Sequence, residues 1–522
     1  MTHNKKRLLS FAFVLMLGSM VWGQPVEKSM SLQECIVGAL KNNLGLKVEV
    51  LNPQLADLTA AQANEIFFPS LTFEYNKQET NTPSYSWIDA ANQVIQKYYD
   101  YSAQLTQLIP TGGNLDLTFY SYSVDTSQRF QTINPRYGSQ LRFNFTQPLL
   151  KDFGLKVTRR EIIIANNNTE ISEKRLRQAV LDTVYNVEEA YWNLVYSVEN
   201  LKALKRSLRL AQDLMAKNKK EVEVGMMAPI EVLSAQAEVA RREADILQAE
   251  ELIKSNEDHL KTIMNLAAEE RIDLIEIVPN ETPSYEEKEV TIEEALEIGK
   301  QYRPDLQVGQ IELESRELNL SVARNQLLPS LNFQASYWSP GVSGDQILYL
   351  NDDPLTEIVV GTVPGGASNA FKDAFNFKYR NWAVGLTLSI PINSVFSRAQ
   401  YARAQVDREQ AQLNLENTEQ QAFLEIRDAV RRVQTDYKRV QAYKVARELA
   451  QQNLEAEEKK LKVGLTTNYQ VLLLQRDLAD AHSLELRATI DYNLALAGLD
   501  RATGVTLNKK NIKMTQIWSS DG

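Results

Sequence analysis

Two hydrophobic periods alternate along this chain. Apolar residues three and four apart open at Leu32 and at Ile292, predicting short helices over 32–41 and 292–301. Each is preceded by a hydroxyl residue, Ser31 or Thr291, with a glutamate three positions on, Glu34 or Glu294, the pattern of a capping box. A second helical pattern follows in each case and stops at Pro69 or Pro329. The period then falls to two. Leu71, Phe73 and Tyr75 alternate with Thr72, Glu74 and Asn76, and Leu141, Phe143 and Phe145 with Arg142, Asn144 and Thr146. Later, Leu331, Phe333, Ala335 and Tyr337 alternate with polar residues, as do Val384, Leu386, Leu388 and Ile390. These are strands with one apolar and one polar face, which suits a soluble sandwich or a lipid-facing barrel equally. The stretches 155–224 and 392–463 contain neither glycine nor proline and are rich in strong helix formers. Each would span roughly 100 Å as one helix, far more than a globular core requires. Each meets a short turn, 225–229 or 464–468, and returns as a second helix over 230–266 or 469–501. Gly225 and Gly464 suit the left-handed position after a helix, and Pro229 suits the first turn of the next.

The two halves are copies of one unit. A shift of 260 positions, without a gap, lays Ser31-Leu32-Gln33-Glu34 on Thr291-Ile292-Glu293-Glu294 and Phe68-Pro69-Ser70-Leu71 on Leu328-Pro329-Ser330-Leu331. A shift of 243 aligns Gln147-Pro148 with Ile390-Pro391, and one of 239 aligns Val224-Gly225 with Val463-Gly464. The chain therefore divides into residues 1–23, a first repeat over 24–286, a second over 287–504 and a tail over 505–522. Strands fall within about 67–147 in the first repeat and about 331–338 and 379–391 in the second. The long hairpins occupy 155–266 and 392–501. The first copy carries an additional alternating hairpin: Tyr101, Ala103 and Leu105, a Pro110-Thr111-Gly112-Gly113 turn, then Leu115, Leu117 and Phe119. The second copy has in its place a Gly/Pro/Asp-rich loop over 339–378, expected on the outer surface.

Lys5, Lys6 and Arg7, an apolar run over 8–21 and Val21-Trp22-Gly23 read as an export signal cleaved before Gln24. The net charge of −10 gives no basic field for nucleic acid, and removing the signal makes it about −13. Cys35 stands alone and lacks the small preceding residues of a lipidation site, so it reads as a small apolar residue on a helix face. Three scattered histidines cannot build a His-based metal site. No other stretch approaches the ~20 apolar residues of a membrane helix, so an exported chain of this kind enters a membrane only as a closed β-barrel. Catalytic motifs are missing. The phosphate-loop lookalike at 361–368 has Ala367 where lysine is required, and the many carboxylates on the long helices read as a solvated face. No enzyme activity, catalytic residue, cofactor or metal is expected.

An exported chain with two repeats, each joining strands to a very long helical hairpin, resembles the TolC-like outer membrane efflux family. The resemblance rests on the Ser-Leu-Gln-Glu opening, the Phe-Phe-Pro-Ser-Leu and Leu-Leu-Pro-Ser-Leu junctions and the Val-Gly turns followed by Val-Leu. It implies a mixed α and β membrane protein with a two-fold internal repeat. Three chains would close one outer-membrane β-barrel, continued by a long periplasmic α-helical barrel. It also implies a passive exit duct, in a Gram-negative-type cell, for solutes or proteins delivered by an inner-membrane pump and a periplasmic adaptor, as in tripartite efflux or type I secretion. Two other readings fit less well. A periplasmic adaptor would carry one hairpin, and an adhesin or structural coiled coil gives no reason for strands to recur in two copies.

With both long helices leaving on the periplasmic side, each copy contributes an even number of strands. A trimer then has twelve strands if the extra hairpin stands outside the wall and eighteen if it joins. Twelve is expected, because a shared helical barrel fixes the diameter below. Glu74, Gln104, Arg142 and Gln334 would face the lumen, where they read as a solvated strand face.

The resemblance places the periplasmic gate and the adaptor-docking surface at the hairpin turns. The residues are Gly225, Met226, Met227 and Glu231 in the first, and Gly464, Leu465, Thr466, Thr467 and Gln470 in the second. The acidic ring of well-known members is absent, since Gln470 and Leu473 stand at its positions. Glu221 and Glu223 precede the first turn; Lys459, Lys460 and Lys462 precede the second. These lysines either complement a helix C-terminus, as Lys219 and Lys220 would, or latch to the acids of a neighbouring tip.

Overall fold

The computed structural model describes residues 26–84, 89, 92–266 and 275–513. The expected export signal over 1–23 and the last part of the tail, 514–522, lie outside the described residues. In chain order the elements are β1 (Val26–Met30), α1 (Leu32–Asn42), α2 (Leu44–Asn64), β2 (Ser70–Pro83), β3 (Gln93–Leu108), β4 (Asn114–Thr126) and β5 (Ile133–Pro148). There follow α3 (Leu155–Thr158), α4 (Arg160–Glu223), α5 (Pro229–Ile263), β6 (Ile275–Pro279), α6 (Ile292–Tyr302) and α7 (Pro304–Asn325). The chain ends with β7 (Ser330–Tyr349), β8 (Val359–Val363), α8 (Ala367–Phe375), β9 (Asn381–Ser389), α9 (Val395–Lys462), α10 (Asn468–Ala502) and α11 (Thr506–Lys509). Two compact units share these elements. One comprises Met1–Lys47, Ala179–Gly299 and Glu425–Gly522; the other comprises Val48–Gln178 and Lys300–Leu424.

The first of these units is helical apart from one small sheet. Ser31 caps α1 with a complete capping box: its hydroxyl accepts from the Glu34 N–H, and the Glu34 carboxylate accepts from the Ser31 N–H at 2.8 Å. At Thr291 the hydroxyl likewise accepts from the Glu294 N–H, at 3.3 Å. β1 and β6 pair in parallel, a ladder that the sequence pattern did not announce. The Tyr191 hydroxyl ties this ladder to α4, donating to the Met30 carbonyl and accepting from the Glu281 N–H, both at 3.3 Å. A core of Ile426, Val430, Val433, Ala488, Tyr492 and Leu499 joins α9 to α10.

Cys35 is fully buried on α1, as its reading as an apolar residue required. Burial pushes its thiol up to about 12, from 9.0. Below pH 9 the thiol is protonated whether the chain is folded or not. As pH climbs from 9 towards 12, the unfolded chain loses this proton first, so stability falls. Cys35 in the folded protein at pH 8 is expected to resist a disulfide-exchange reagent that labels it completely in denaturant. Rapid labelling without denaturant would contradict the buried placement.

The second unit holds a seven-stranded sheet among the described residues, ordered β2-β3-β4-β5-β7-β8, with β9 also paired to β7. The half of β7 nearest α7 pairs with β9, through Ser330 to Trp338, and its far end pairs with β8, through Gln346 to Tyr349. Six strands therefore stand side by side at the level of β9. The extra hairpin of the first copy does not stand outside this sheet, contrary to the expectation that carried twelve strands. β3 and β4 occupy its middle, between β2 and β5. Register explains why. Leu71, Leu105, Leu117, Phe143, Tyr337 and Trp382 lie directly opposite one another on successive strands. The hairpin supplies two of the six positions of this apolar row and gives β2 its partner in the chain.

The loop expected over 339–378 is also more ordered than its composition suggested. β7 continues to Tyr349 because β5 extends equally far and its backbone groups require partners, from Leu141↔Ser339 up to Arg136↔Gly344. β8 and α8 follow within the same stretch, and Ala367 of the phosphate-loop lookalike is the first residue of α8. The first long helix begins later than the uninterrupted composition of 155–224 implied. α3 is a single turn, and Arg159, at φ −93° and ψ 8°, separates it from α4.

Candidate functional site

The paired hairpin turns are built by the same backbone device. After α4, the Gly225 N–H donates to the Val222 carbonyl and the Met226 N–H to the Glu221 carbonyl, at 3.0 and 2.8 Å. After α9, the Gly464 N–H donates to Leu461 and the Leu465 N–H to Lys460, at 3.1 and 3.0 Å. These are Schellman closures, and both glycines hold positive φ, 76° and 74°, where a Cβ would be strained. The return helices start differently. Pro229 opens α5 with no side-chain cap, whereas Thr467 caps α10, its hydroxyl accepting from the Gln470 N–H.

The two turns meet through a polar contact, in which Asn468 Nδ2 approaches Met227 Sδ at 3.6 Å. Around them the apolar side chains point outward: Met226 is 81% exposed and Leu465 77%, and Val224, Val463 and Tyr469 are exposed as well. Thr466 donates to the Glu457 carboxylate, which also accepts from Lys460 at 2.9 Å. The Thr466 bond, and then the Lys460 bond, hold the Glu457 carboxyl below the usual range. Glu221 pairs with Lys217 of its own helix at 3.7 Å. Among the described residues no ion pair within the chain reaches Glu223, Glu231, Lys459 or Lys462, so one chain does not itself join the acids of the first tip to the lysines of the second.

The sequence reading missed the residue that connects the helices behind the turns. Arg242 of α5 is 4% exposed, and its guanidinium donates to the Ser207 carbonyl of α4 at 2.5 Å and the Leu472 carbonyl of α10 at 3.3 Å. Its Nε donates to Glu238 at 3.1 Å. Ala211, Ala235, Val239 and Leu472 pack beside it. Nothing in the run Ala240-Arg241-Arg242-Glu243 distinguishes this arginine from its solvated neighbour, because the helical pattern there is too polar to mark a buried face.

The sheet's polar face carries all four residues expected in the lumen. Gln104, Thr118 and Arg142 share a cross-strand row with Trp338, and the Arg142 guanidinium lies 5.1 Å from the Trp338 ring centre. Glu74 sits one row on, opposite Ser102, and Gln334 opposite Thr146. Aromatic residues join them there: Tyr98, Tyr120 and Tyr122 cluster on the same face.

Among the described residues, no helix is long and apolar enough to cross a membrane. Similar folds have been solved. The Campylobacter jejuni CmeC outer membrane channel matches with a TM-score of 0.61 and 17% identity, over 93% of this chain and 90% of its own. The Vibrio cholerae outer membrane protein VceC matches with a TM-score of 0.59 and 18% identity, over 91% of this chain and 96% of its own. In sequence, the outer membrane protein TolC of Vibrio cholerae is 24% identical over 352 residues, covering 66% of this chain and 74% of TolC. The family profile for outer membrane efflux proteins matches residues 35–266 and 296–505, one segment in each half. The chain thus belongs to the outer membrane efflux protein family: it is an efflux channel protein of the outer membrane.

Proposed function

We propose that three copies of this chain close a single eighteen-strand barrel whose apolar face meets lipid and whose lumen continues between the long helices across the periplasm. The observation that carries this reading is the sheet. Its outer strands, β2 and β9, each pair on one side only, and their apolar residues lie bare, with Phe73 73% exposed and Trp382 74%. An open sheet edge in a bilayer leaves several kcal/mol unmet per unpaired backbone group, so β9 of one chain must find β2 of the next. Six strands per chain then give eighteen.

The division into an export signal over 1–23, repeats over 24–286 and 287–504 and a tail over 505–522 belongs to the same reading. So does the role of the turns. The exposed apolar tips around Met226 and Leu465 suit docking of a periplasmic adaptor, which would couple the duct to an inner-membrane pump. Acids at Glu221, Glu223 and Glu231 would face Lys459, Lys460 and Lys462 of a neighbouring chain rather than of their own. A single exposed pair contributes only about 0.2–1 kcal/mol, and three-fold repetition multiplies it. The channel performs no chemistry in this reading. An adaptor subunit or an adhesin would have no use for a lipid-facing sheet.

Detergent-solubilised protein is expected to have the mass of three chains and, in a planar bilayer, to conduct ions. A monomeric mass, or a trimer that never conducts, would overturn the proposal.

A further inference from the structure

Helix α8 lies on the wrong side of the sheet for a segment that merely closes a loop. It packs on β5 and β7, over the face that carries Leu117, Phe143 and Tyr337. Phe119 of that face contacts Phe371 and Phe375 of the helix, with ring centres 5.5 and 5.2 Å apart. Ala370 and Ala374, on the underside of the helix, are completely buried.

The sheet is prepared for this helix. Moving away from α7, successive rows on the apolar face read Leu117, Phe143 and Tyr337, then Phe119, Leu141 and Ser339, then Ser121, Ser139 and Gly341. Large side chains thus give way to small ones where the helix sits. A Cβ on Gly341 would stand 2.0 Å from the Ala370 carbonyl oxygen, so only glycine admits the helix backbone at this depth. The Ser339 hydroxyl donates to the Asp373 carbonyl. Ser121 and Ser139, only 2% and 3% exposed, are covered, and Ser121 donates to the Gly138 carbonyl at 3.0 Å.

We propose that α8 is an interfacial helix, resting on the outside of the barrel wall at the level where acyl chains of the outer leaflet meet their headgroups, so that the lipid surface is its partner. The inference rests on the reading that the apolar face of this sheet meets lipid. Three features set the level. The apolar rows end beneath the helix, so its underside continues the hydrophobic band. Its outer side is mixed: Ser368, Asn369 and Lys372 are exposed and polar, which excludes the acyl core. Its C-terminal end is aromatic, with Phe375 54% exposed and Tyr379 and Trp382 following, the composition of a membrane-interface belt. A neighbouring chain is a poorer occupant, because α8 lies flat on the face of β5 and β7 rather than on the edges β2 and β9 through which chains would pair.

Fluorescence quenching tests this in proteoliposomes of the full chain carrying Cys35→Ala. An environment-sensitive fluorophore is placed at Phe375→Cys, on the bare apolar face at Phe73→Cys, and at Lys372→Cys in case Phe375→Cys loosens the packing. The quenchers are phospholipids with a nitroxide near the headgroup or deep in the acyl chain, and aqueous iodide. At 375 the shallow nitroxide is expected to quench about twofold more than the deep one, with little effect of iodide. At 372 the shallow nitroxide and iodide should both quench, and at 73 a lipid nitroxide should quench. Lipid quenching at 73 with only iodide quenching at 375 and 372 would overturn the interfacial helix and leave the lipid-facing sheet standing. Strongest quenching at 375 by the deep nitroxide, or none by any agent, would also overturn it. Iodide alone quenching at 73 would remove the lipid-facing sheet itself.

Discussion

Leu386→Arg is expected to abolish recovery of trimer from the outer membrane, while Thr387→Arg, one residue on, leaves it largely intact. Leu386 lies midway along the apolar positions of β9, opposite Phe333, and is 66% exposed in the single chain. Thr387 lies opposite Asn332 and points to the polar face. Arginine on a lipid-facing strand costs about 2–4 kcal/mol at the bilayer midplane, and a closed trimer carries that cost three times. On the lumen side the same guanidinium meets water. The measurement is the amount of trimer resisting detergent denaturation in membrane fractions, with total protein as control. Recovery of Leu386→Arg but not Thr387→Arg would reverse the two faces of the sheet.

Arg242→Leu is expected to loosen the helices behind the turns without disturbing the barrel. The substitution removes the guanidinium that bonds Ser207 of α4 and Leu472 of α10, and leaves Glu238, whose side chain is only 17% exposed, with the looser pairing to Arg241 at 4.0 Å. Breaking one partner of a buried pair typically costs about 3–5 kcal/mol, mostly from the charge left behind. Amide exchange in α5 and α10 near the turns should therefore speed up by at least about a hundredfold, since roughly 1.4 kcal/mol is a factor of ten. Adding Glu238→Leu should restore much of the protection, because an apolar pair of similar volume is often as stable as a buried ion pair. If the turns form the gate, resting conductance should rise in the single variant and fall back in the double. Unchanged exchange in Arg242→Leu would mean that Arg242 does not hold the helices together.

The legibility of this chain follows from how far each signal reaches. Long helices announce themselves by what they lack over many residues, and the turns between them by a glycine that must hold positive φ, so α4, α5, α9 and α10 and both closures could be read directly. The alternation of Leu115, Leu117 and Phe119 was equally plain, yet it says only that a strand has an apolar face. Which strand lies beside it depends on Leu105 and Phe143, more than ten and twenty residues away, and that pairing placed the extra hairpin in the sheet. The break at Arg159 and the burial of Arg242 were illegible for a similar reason. In a polar helix, the side chains of distant elements decide which arginine is covered. The candidate site was thus legible as two turns. Its connection through Arg242, and the contact of Asn468 with Met227, arise only when α4, α5 and α10 are brought together.

The hairpin inserted between β2 and β5 also governs how such a wall can change size. A chain whose two ends both return to the helices can gain strands only in pairs, and three-fold symmetry triples each pair. The wall therefore grows in steps of six, with nothing between. Backbone diameter would pass from about 24 Å at twelve strands to about 36 Å at eighteen, more than doubling the open cross-section before side chains are counted. A barrel of that bore would be too wide to sieve small solutes, and discrimination by size would then fall to the hairpin turns proposed as the gate.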